Sequence, residues 1–413
     1  MDAITLAKNA KHAFISLSKS STKQRVSALN KLADNLEAKY ATIVLANMKD
    51  LDAAKTNKLS GALTDRLLLN EKRISSMAQS VRDIAKSEEV IGVIESSHTR
   101  SDGLTISKER VPLGVITMIF ESRPNVVTDC AALSLKSGNA IILKGGKEAY
   151  YSNEVLGEII KESFDQFVPE NCVQVLSSNE RALVDGLLTC NEYVDLIIPR
   201  GGEKLIDYVY KTATVAVIAH FKGLCHTYVH SDADNQKAVE ICLNAKVQRP
   251  GVCNAMETLI IHRDKVGEFT DQLFSDYSEN GVELRAEKEL VDRYSQIKAL
   301  DENDFATEYL DKILSIKLVD SLEEAILHIQ KYGSHHSECI LTQDKQVASE
   351  FRKRVDASFI AVNASTRFND GGELGLGAEI GISTTKFHAY GPMGARELTT
   401  TRFFVEGDGH IRA

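Results

Sequence analysis

Of the seven cysteines, Cys253 stands in the loop best suited to making a thiol reactive. Pro250 and Gly251 break regular backbone just before it, Asn254 follows, and Ala255–Ile261 then reads as a strand. A cysteine in such a loop can lie among backbone N–H groups, which lower a thiol's pKa and offer an oxyanion site. The competing account is that a free cysteine is usually a small buried hydrophobe, and the residues alone leave both open. Cys225 has His226 beside it, but neighbours on a strand point to opposite faces, so Cys225 reads as structural. His335 and His336 have no spaced cysteine or carboxylate set around them and read as a solvated loop. No C-x-x-C pair occurs and the cysteine count is odd, which predicts reduced thiols and no metal site.

Two glycine turns follow apolar runs. Lys144-Gly145-Gly146-Lys147 comes after Ile141–Leu143, and Pro199-Arg200-Gly201-Gly202 comes after Leu196–Ile198 and before a helical pattern. A helix N-terminus preceded by glycine exposes N–H groups to a phosphate. Neither turn is a G-x-G-x-x-G or a Walker loop, and each alone is equally an ordinary strand-to-helix turn. Two basic turns on one sheet edge favour an anionic cofactor. A third glycine-rich stretch, 363–372, carries Ser365 and Arg367 and continues to Gly375, Gly377 and Gly381. It suits either close approach to a small anionic ligand or a long mobile loop.

The elements that must position these groups alternate in type. Residues 1–90 are helical in pattern: Ile4, Ala7, Ala10, Phe14 and Leu17 share a face, Ser21 and Gln24 have capping-box spacing, and Val26, Leu29, Leu32, Leu36, Tyr40 and Ile43 form a stripe. Val90–Val111 is β-rich with Asp102-Gly103 in its middle, a hairpin signal. Strands are predicted at Val115–Phe120, Ala140–Leu143, Val173–Leu176, Leu196–Ile198 and Val215–Ile218, with room for a crossover helix each time. Their apolar character fits a parallel sheet buried on both faces. A second series follows Asp232, with strands at Leu259–Ile261, Ile316–Val319, Cys339–Leu341 and Phe359–Val362; Asp264–Tyr309 reads as helix and surface loop. The fold class is therefore α/β with two doubly wound open-sheet domains. The hairpin and a strand-like tail, Thr399–Ala413, each need a partner sheet.

Composition excludes some functions. The net charge of −9 argues against a phosphate-backbone binder, so no nucleic-acid partner is expected. No run of about 18 apolar residues occurs and the N-terminus lacks an apolar targeting region, so no membrane span is expected and a cytoplasmic location is.

The Cys253 loop, the turn Ile119-Phe120-Glu121-Ser122-Arg123-Pro124 and the Val362–Gly372 loop resemble the gamma-glutamyl phosphate reductases, the glutamate-5-semialdehyde dehydrogenases of proline biosynthesis, within the aldehyde dehydrogenase superfamily. Ser137–Lys147, Gly391-Pro392-Met393-Gly394 and Gly409–Ala413 match as well, so the resemblance runs nearly end to end. It implies an aldehyde dehydrogenase-like subunit: an NADPH-binding domain at 1–89 and 112–228, a catalytic domain at 229–398, and a β oligomerisation element at 90–111 and 399–413. It implies NADPH/NADP as cofactor and reduction of L-glutamyl 5-phosphate through a thioester on Cys253, with Ser122 at the place of an oxyanion donor. Lys144 and Lys147 fall at the adenosine-ribose positions; a lysine rather than an acid at 147 attracts a 2′-phosphate. With Arg200, Gly201 and Gly202, Glu308 completes the cofactor residues, matching the glutamate that holds the nicotinamide ribose. Arg123, Arg367 and Ser365 are the substrate-binding candidates. His220 falls where hydrolytic relatives carry a water-activating glutamate. The implied partners are further copies of the chain, as dimer or tetramer, and glutamate 5-kinase in transient contact.

Overall fold

The computed structural model of the chain describes residues 2–59, 61–176 and 180–412. Ala413, the end of the predicted tail, lies outside them. The chain divides into two compact units. The first comprises 1–219, 375–382 and 392–413, and the second 220–374 and 383–391. This differs from the predicted bounds at 228 and 398. Cys225–Val229 is a strand in the middle of the second unit's sheet, so 220–228 goes with that unit.

In the first unit, four parallel strands stand in the order Val173–Leu176, Ala140–Lys144, Val115–Phe120, Leu196–Arg200. Every residue of Val115–Phe120 and Ala140–Lys144 is buried, because helices cover both faces. Ala3, Leu6, Ala7 and Ala10 of the first helix, with Leu187, Leu188 and Val209, pack one face around Val115, Ile142 and Ile197. Chain order makes the sheet start in its middle and reverse between Val115–Phe120 and Leu196–Arg200. That reversal is where open α/β sheets take ligands, at the strands' carboxyl ends. The predicted strand Val215–Ile218 reduces to a single bridge, Ile197 with Val217.

The Ser21–Gln24 capping box forms as expected. The long stripe, however, is two helices, Thr22–Ala38 and Tyr40–Thr56, and the break at Lys39 leaves Tyr40 exposed. Ile4 is also exposed, its place in the core taken by Ala3 and Leu6. The hairpin strands Ile94–Thr99 and Thr105–Pro112 pair antiparallel, and Thr399–Glu406 adds to the second of them from Thr399 opposite Pro112 to Glu406 opposite Thr105. The two segments that could not stand alone thus build one three-stranded sheet.

The second unit holds seven strands, all parallel, in the order 298–299, 283–286, 313–319, 256–262, 225–229, 337–341, 359–362. Alternation splits the core: Met256, Leu259 and Ile261 pack with Phe269, Leu273 and Phe274, whereas Ile260 packs with Tyr228, Ile326 and Phe351 on the opposite face. Two strands, Glu283–Ala286 and Lys298–Ala299, arise inside 264–309, where helix and loop were expected. They are short and half polar, so they carry no apolar run to read. Among the described residues, no helix is long and apolar enough to cross a membrane.

Candidate active site

Three neighbouring strands of the second sheet, 256–262, 225–229 and 337–341, are entered from the same edge. The residues just before them are Cys253, the segment from His220, and His336. Parallel pairing therefore gathers groups far apart in sequence at one amino-terminal edge. A ring nitrogen of His220, a ring nitrogen of His336 and the Cys253 sulfur all lie within 4.8 Å of one another.

Backbone packing sets this loop. A Cβ on Gly223 would stand 2.0 Å from the Cys253 carbonyl oxygen, so only glycine allows the approach. The Cys225 thiol donates to that same oxygen at 3.1 Å. Asn254 is buried; its amide donates to the carbonyl of Asn369 at 2.9 Å, and its own carbonyl accepts from the Thr366 hydroxyl at 2.8 Å. Asn369 in turn donates to Ser337 Oγ at 2.8 Å, and that oxygen lies 2.7 Å from His336 Nδ1. The glycine-rich 363–372 loop is thus a buttress joining the thiol's loop to the imidazole.

Burial by itself would raise the Cys253 pKa; the charge of His336, with the hydrogen bond and charge of His220, outweighs it and holds the thiol well below its ordinary range. Burial would likewise depress His336, but the facing thiolate lifts its pKa well above that of a free imidazole. The two form a thiolate–imidazolium pair. This corrects the expectation of a solvated loop at 335–336. His335 is exposed, but His336 is fully buried beside the sulfur. Cys225 is structural, as read, with its thiol pushed up by burial.

Glu308 also belongs here: it accepts from the Gly223 N–H at 3.0 Å, and burial and the neighbouring thiolate raise its pKa. Arg367 is half-buried, donates to Gln248 at 2.8 Å and feels the charges of Asp370, Arg249 and Cys253. Ser365 is buried and accepts from the Arg367 N–H at 3.3 Å, capping a short turn; it holds Arg367 in place.

In the first unit the predicted cofactor residues lie at the carboxyl ends of the strands. Lys144 ends its strand buried, with the Gly145 carbonyl as the acceptor of its ammonium at 2.5 Å. It makes no ion pair among the described residues. Burial lowers its pKa against the pull of Glu148. A buried cation at this place fits a ligand rich in hydroxyl or phosphate oxygens, and exposed Lys147 adds a second cation. The two glycine turns, however, already hold carboxylates. Glu121 accepts from the Gly202 N–H at 2.8 Å and lies against Gly201. Glu148 accepts from both the N–H and the hydroxyl of Ser122 at 2.8 Å and packs against Gly146. The Ser122 hydroxyl is engaged here as a turn clamp. Arg200, expected on the cofactor, pairs with Glu379 at 3.4 Å and the Ile380 carbonyl at 3.2 Å. Arg123 is half-buried, just ahead of the helix Asn125–Lys136.

A cysteine gathered with two imidazoles in the second unit, and lysines at the strand ends of the first, are groups of the kind a thiol-dependent, nucleotide-using enzyme employs. The aldehyde dehydrogenase family model matches residues 1–290. A gamma-glutamyl phosphate reductase from a Nitratiruptor species is 50% identical over 94% of this chain and 95% of its own, and one from Carboxydothermus hydrogenoformans is 48% identical over 100% and 99%. The solved structure of gamma-glutamyl phosphate reductase from Thermotoga maritima superposes with a TM-score of 0.95 at 41% identity, covering 100% of both chains. The chain belongs to the aldehyde dehydrogenase family and, within it, to the gamma-glutamyl phosphate reductases. Its cofactor is a nicotinamide nucleotide.

Proposed function

We propose that this protein reduces L-glutamyl 5-phosphate to L-glutamate 5-semialdehyde and phosphate, the second step of proline biosynthesis from glutamate, through a thioester on Cys253. The observation that carries the reading is the gathering of the Cys253 sulfur with ring nitrogens of His336 and His220 within 4.8 Å, His220 standing where hydrolytic relatives place a glutamate base. The sulfur attacks the acyl carbon, the carbon–oxygen bond to phosphate breaks, and phosphate leaves with the electron pair of that bond. The Cys253 N–H stabilises the transient oxyanion; one donor of this kind contributes about 10²–10³ in rate. NADPH, when bound, would supply a hydride to the thioester carbon; the carbon–sulfur bond breaks, releasing the semialdehyde, and the electron pair returns to Cys253 as its thiolate. The place of the water-activating glutamate is taken by His220, and phosphate is the partner in both directions.

Lys144 and Lys147 hold the adenosine ribose, and the positive charge of Lys147 favours a 2′-phosphate and hence NADP(H). Glu308 accepts from the nicotinamide ribose beside the sulfur. Arg367, steadied by Ser365, binds the anionic ends of the substrate. The sheet of hairpin and tail, with Phe403, Phe404 and Val405 exposed, joins further copies of the chain as dimer or tetramer. A transient contact with glutamate 5-kinase suits an acyl phosphate that is chemically labile. A cytoplasmic location fits seven cysteines that are all free thiols.

The test runs the reaction in reverse with the semialdehyde and NADP. Turnover should require inorganic phosphate, and Cys253→Ser should lower it by about 10⁴-fold or more while leaving NADPH binding intact. Turnover independent of phosphate, or surviving in Cys253→Ser, overturns the reading.

A further inference from the structure

We infer that Cys253, His220 and His336 also form a binding site for one thiophilic divalent cation of the zinc class, and that its occupancy caps the nucleophile and silences the enzyme reversibly. All three residues belong to the second unit, and among the described residues this is the one group of three or more ligand side chains gathered closely enough to hold a metal ion. Tetrahedral zinc, with bonds of about 2.3 Å to sulfur and 2.0–2.1 Å to nitrogen, spaces its ligand atoms about 3.3–3.6 Å apart. The three atoms here lie within 4.8 Å, so side-chain rotation closes the gap. One thiolate and two imidazoles suit a borderline-soft cation, and three protein ligands leave the fourth position to water.

The imidazole on the buried side is prepared for this. His336 Nε2 is buried and has no hydrogen-bond partner among the described residues, whereas Nδ1 is held 2.7 Å from Ser337 Oγ, itself fastened by Asn369. A metal-binding histidine is oriented in the same way, by a hydrogen bond at its other nitrogen. Cys225 lies 3.7 Å from Nδ1 and is committed to the Cys253 carbonyl, so it takes no part. On binding, one metal–sulfur and two metal–nitrogen bonds form, and the proton that the Cys253 and His336 pair carries between them leaves to solvent from whichever group holds it; nothing is oxidised or reduced. The silencing rests on Cys253 being the nucleophile, but the binding does not.

The full-length protein would be titrated with Co²⁺, a spectroscopic stand-in for zinc. The expected result is one equivalent bound with a thiolate-to-metal charge-transfer band, displaced by Zn²⁺ and missing in Cys253→Ser. Zn²⁺ should also shield Cys253 from iodoacetamide, with EDTA restoring the reaction. His336→Asn and the half-exposed His220→Asn should each raise the Zn²⁺ needed for half-protection by at least about tenfold. No charge-transfer band overturns the inference, as does protection unchanged in both histidine variants, which would mean the thiol binds alone. An enzyme that binds Co²⁺ in this way yet never turns over the semialdehyde would refute the functional reading and leave the metal site standing.

Discussion

Each unit buries a lysine near its chemistry, and the two are treated in opposite ways. Lys246, fully buried in the second unit, meets Glu257 Oε2 at 2.7 Å. Glu257 lies on the strand that follows the Cys253 loop, and its other oxygen accepts from the Leu310 N–H at 3.2 Å, two residues beyond Glu308. Lys144, buried in the first unit, has a main-chain carbonyl and, among the described residues, no carboxylate within ion-pair distance. A buried charge is expensive unless paired. Lys246 is therefore scaffold, complete as it stands, whereas Lys144, on the function proposed above, would complete its pairing when an oxygen-rich ligand arrives. (A third buried lysine, Lys136, bonds the carbonyls of Ala85 and Ser87 at a helix end.)

Breaking the complete pair should have the largest effect. Glu257→Gln leaves the Lys246 ammonium buried beside a neutral amide and should cost about 3–5 kcal/mol of stability, read by denaturant unfolding. Replacing both partners with apolar residues of similar volume should recover most of that loss. The incomplete pair should respond in the other sense. Lys144→Met removes an uncompensated buried charge, so the melting temperature should hold or rise. NADPH affinity should fall about 10–100-fold, the worth of a charge-assisted hydrogen bond of 1.5–3 kcal/mol, read by cofactor fluorescence. A melting temperature that falls as far as in Glu257→Gln would erase the contrast.

A third test compares the two edges. The carboxyl edge of the first sheet carries fixed lysine charge, the amino edge of the second a thiol whose pKa is set by the imidazoles beside it. Because the Cys253 pKa is depressed, wild-type alkylation by iodoacetamide should stay fast as pH drops below the ordinary thiol range. In His336→Asn burial prevails and the thiol pKa moves up, so alkylation at neutral pH should slow by at least about tenfold. Unchanged alkylation would assign the activation to His220 alone.

What the sequence made legible follows from the range of the interactions. Buried parallel strands announce themselves as apolar runs, and Pro250 and Gly251 mark the irregular loop at Cys253, though only the family resemblance singles out its thiol; the apolar runs and the loop signal are local. The hairpin and tail were legible as two segments in need of a partner, and they partnered each other. His336 was not legible. Its neighbours in sequence include the exposed His335, and its chemistry exists only because 337–341 lies beside 225–229, which lies beside 256–262. The one available signal was position: His336 immediately precedes an apolar strand, as the Cys253 loop does. The occupants of the glycine turns were hidden for the same reason. Gly201 and Gly202 looked like a phosphate cradle because nothing local shows that Glu121, from a different strand end, already fills it.

That occupancy gives the smallest effect and the finest discrimination. Glu121 accepts the Gly202 N–H at the start of the helix Glu203–Thr212. A carboxylate there gains from the helix dipole by about 0.3–1 kcal/mol, and Glu121→Gln should lose about that much stability, because the amide oxygen keeps the hydrogen bond and gives up the charge. Two accounts of the turn then part. If Glu121 is a permanent cap, NADPH affinity stays as it was. If the carboxylate is a placeholder that must swing aside for cofactor phosphate, removing its charge weakens the competitor and tightens NADPH. Because anion repulsion is screened by salt, the tightening should shrink as ionic strength rises. An affinity change that is insensitive to salt would point instead to a repacked turn, and the first unit's edge would then owe its cofactor contacts to Lys144 and Lys147 alone.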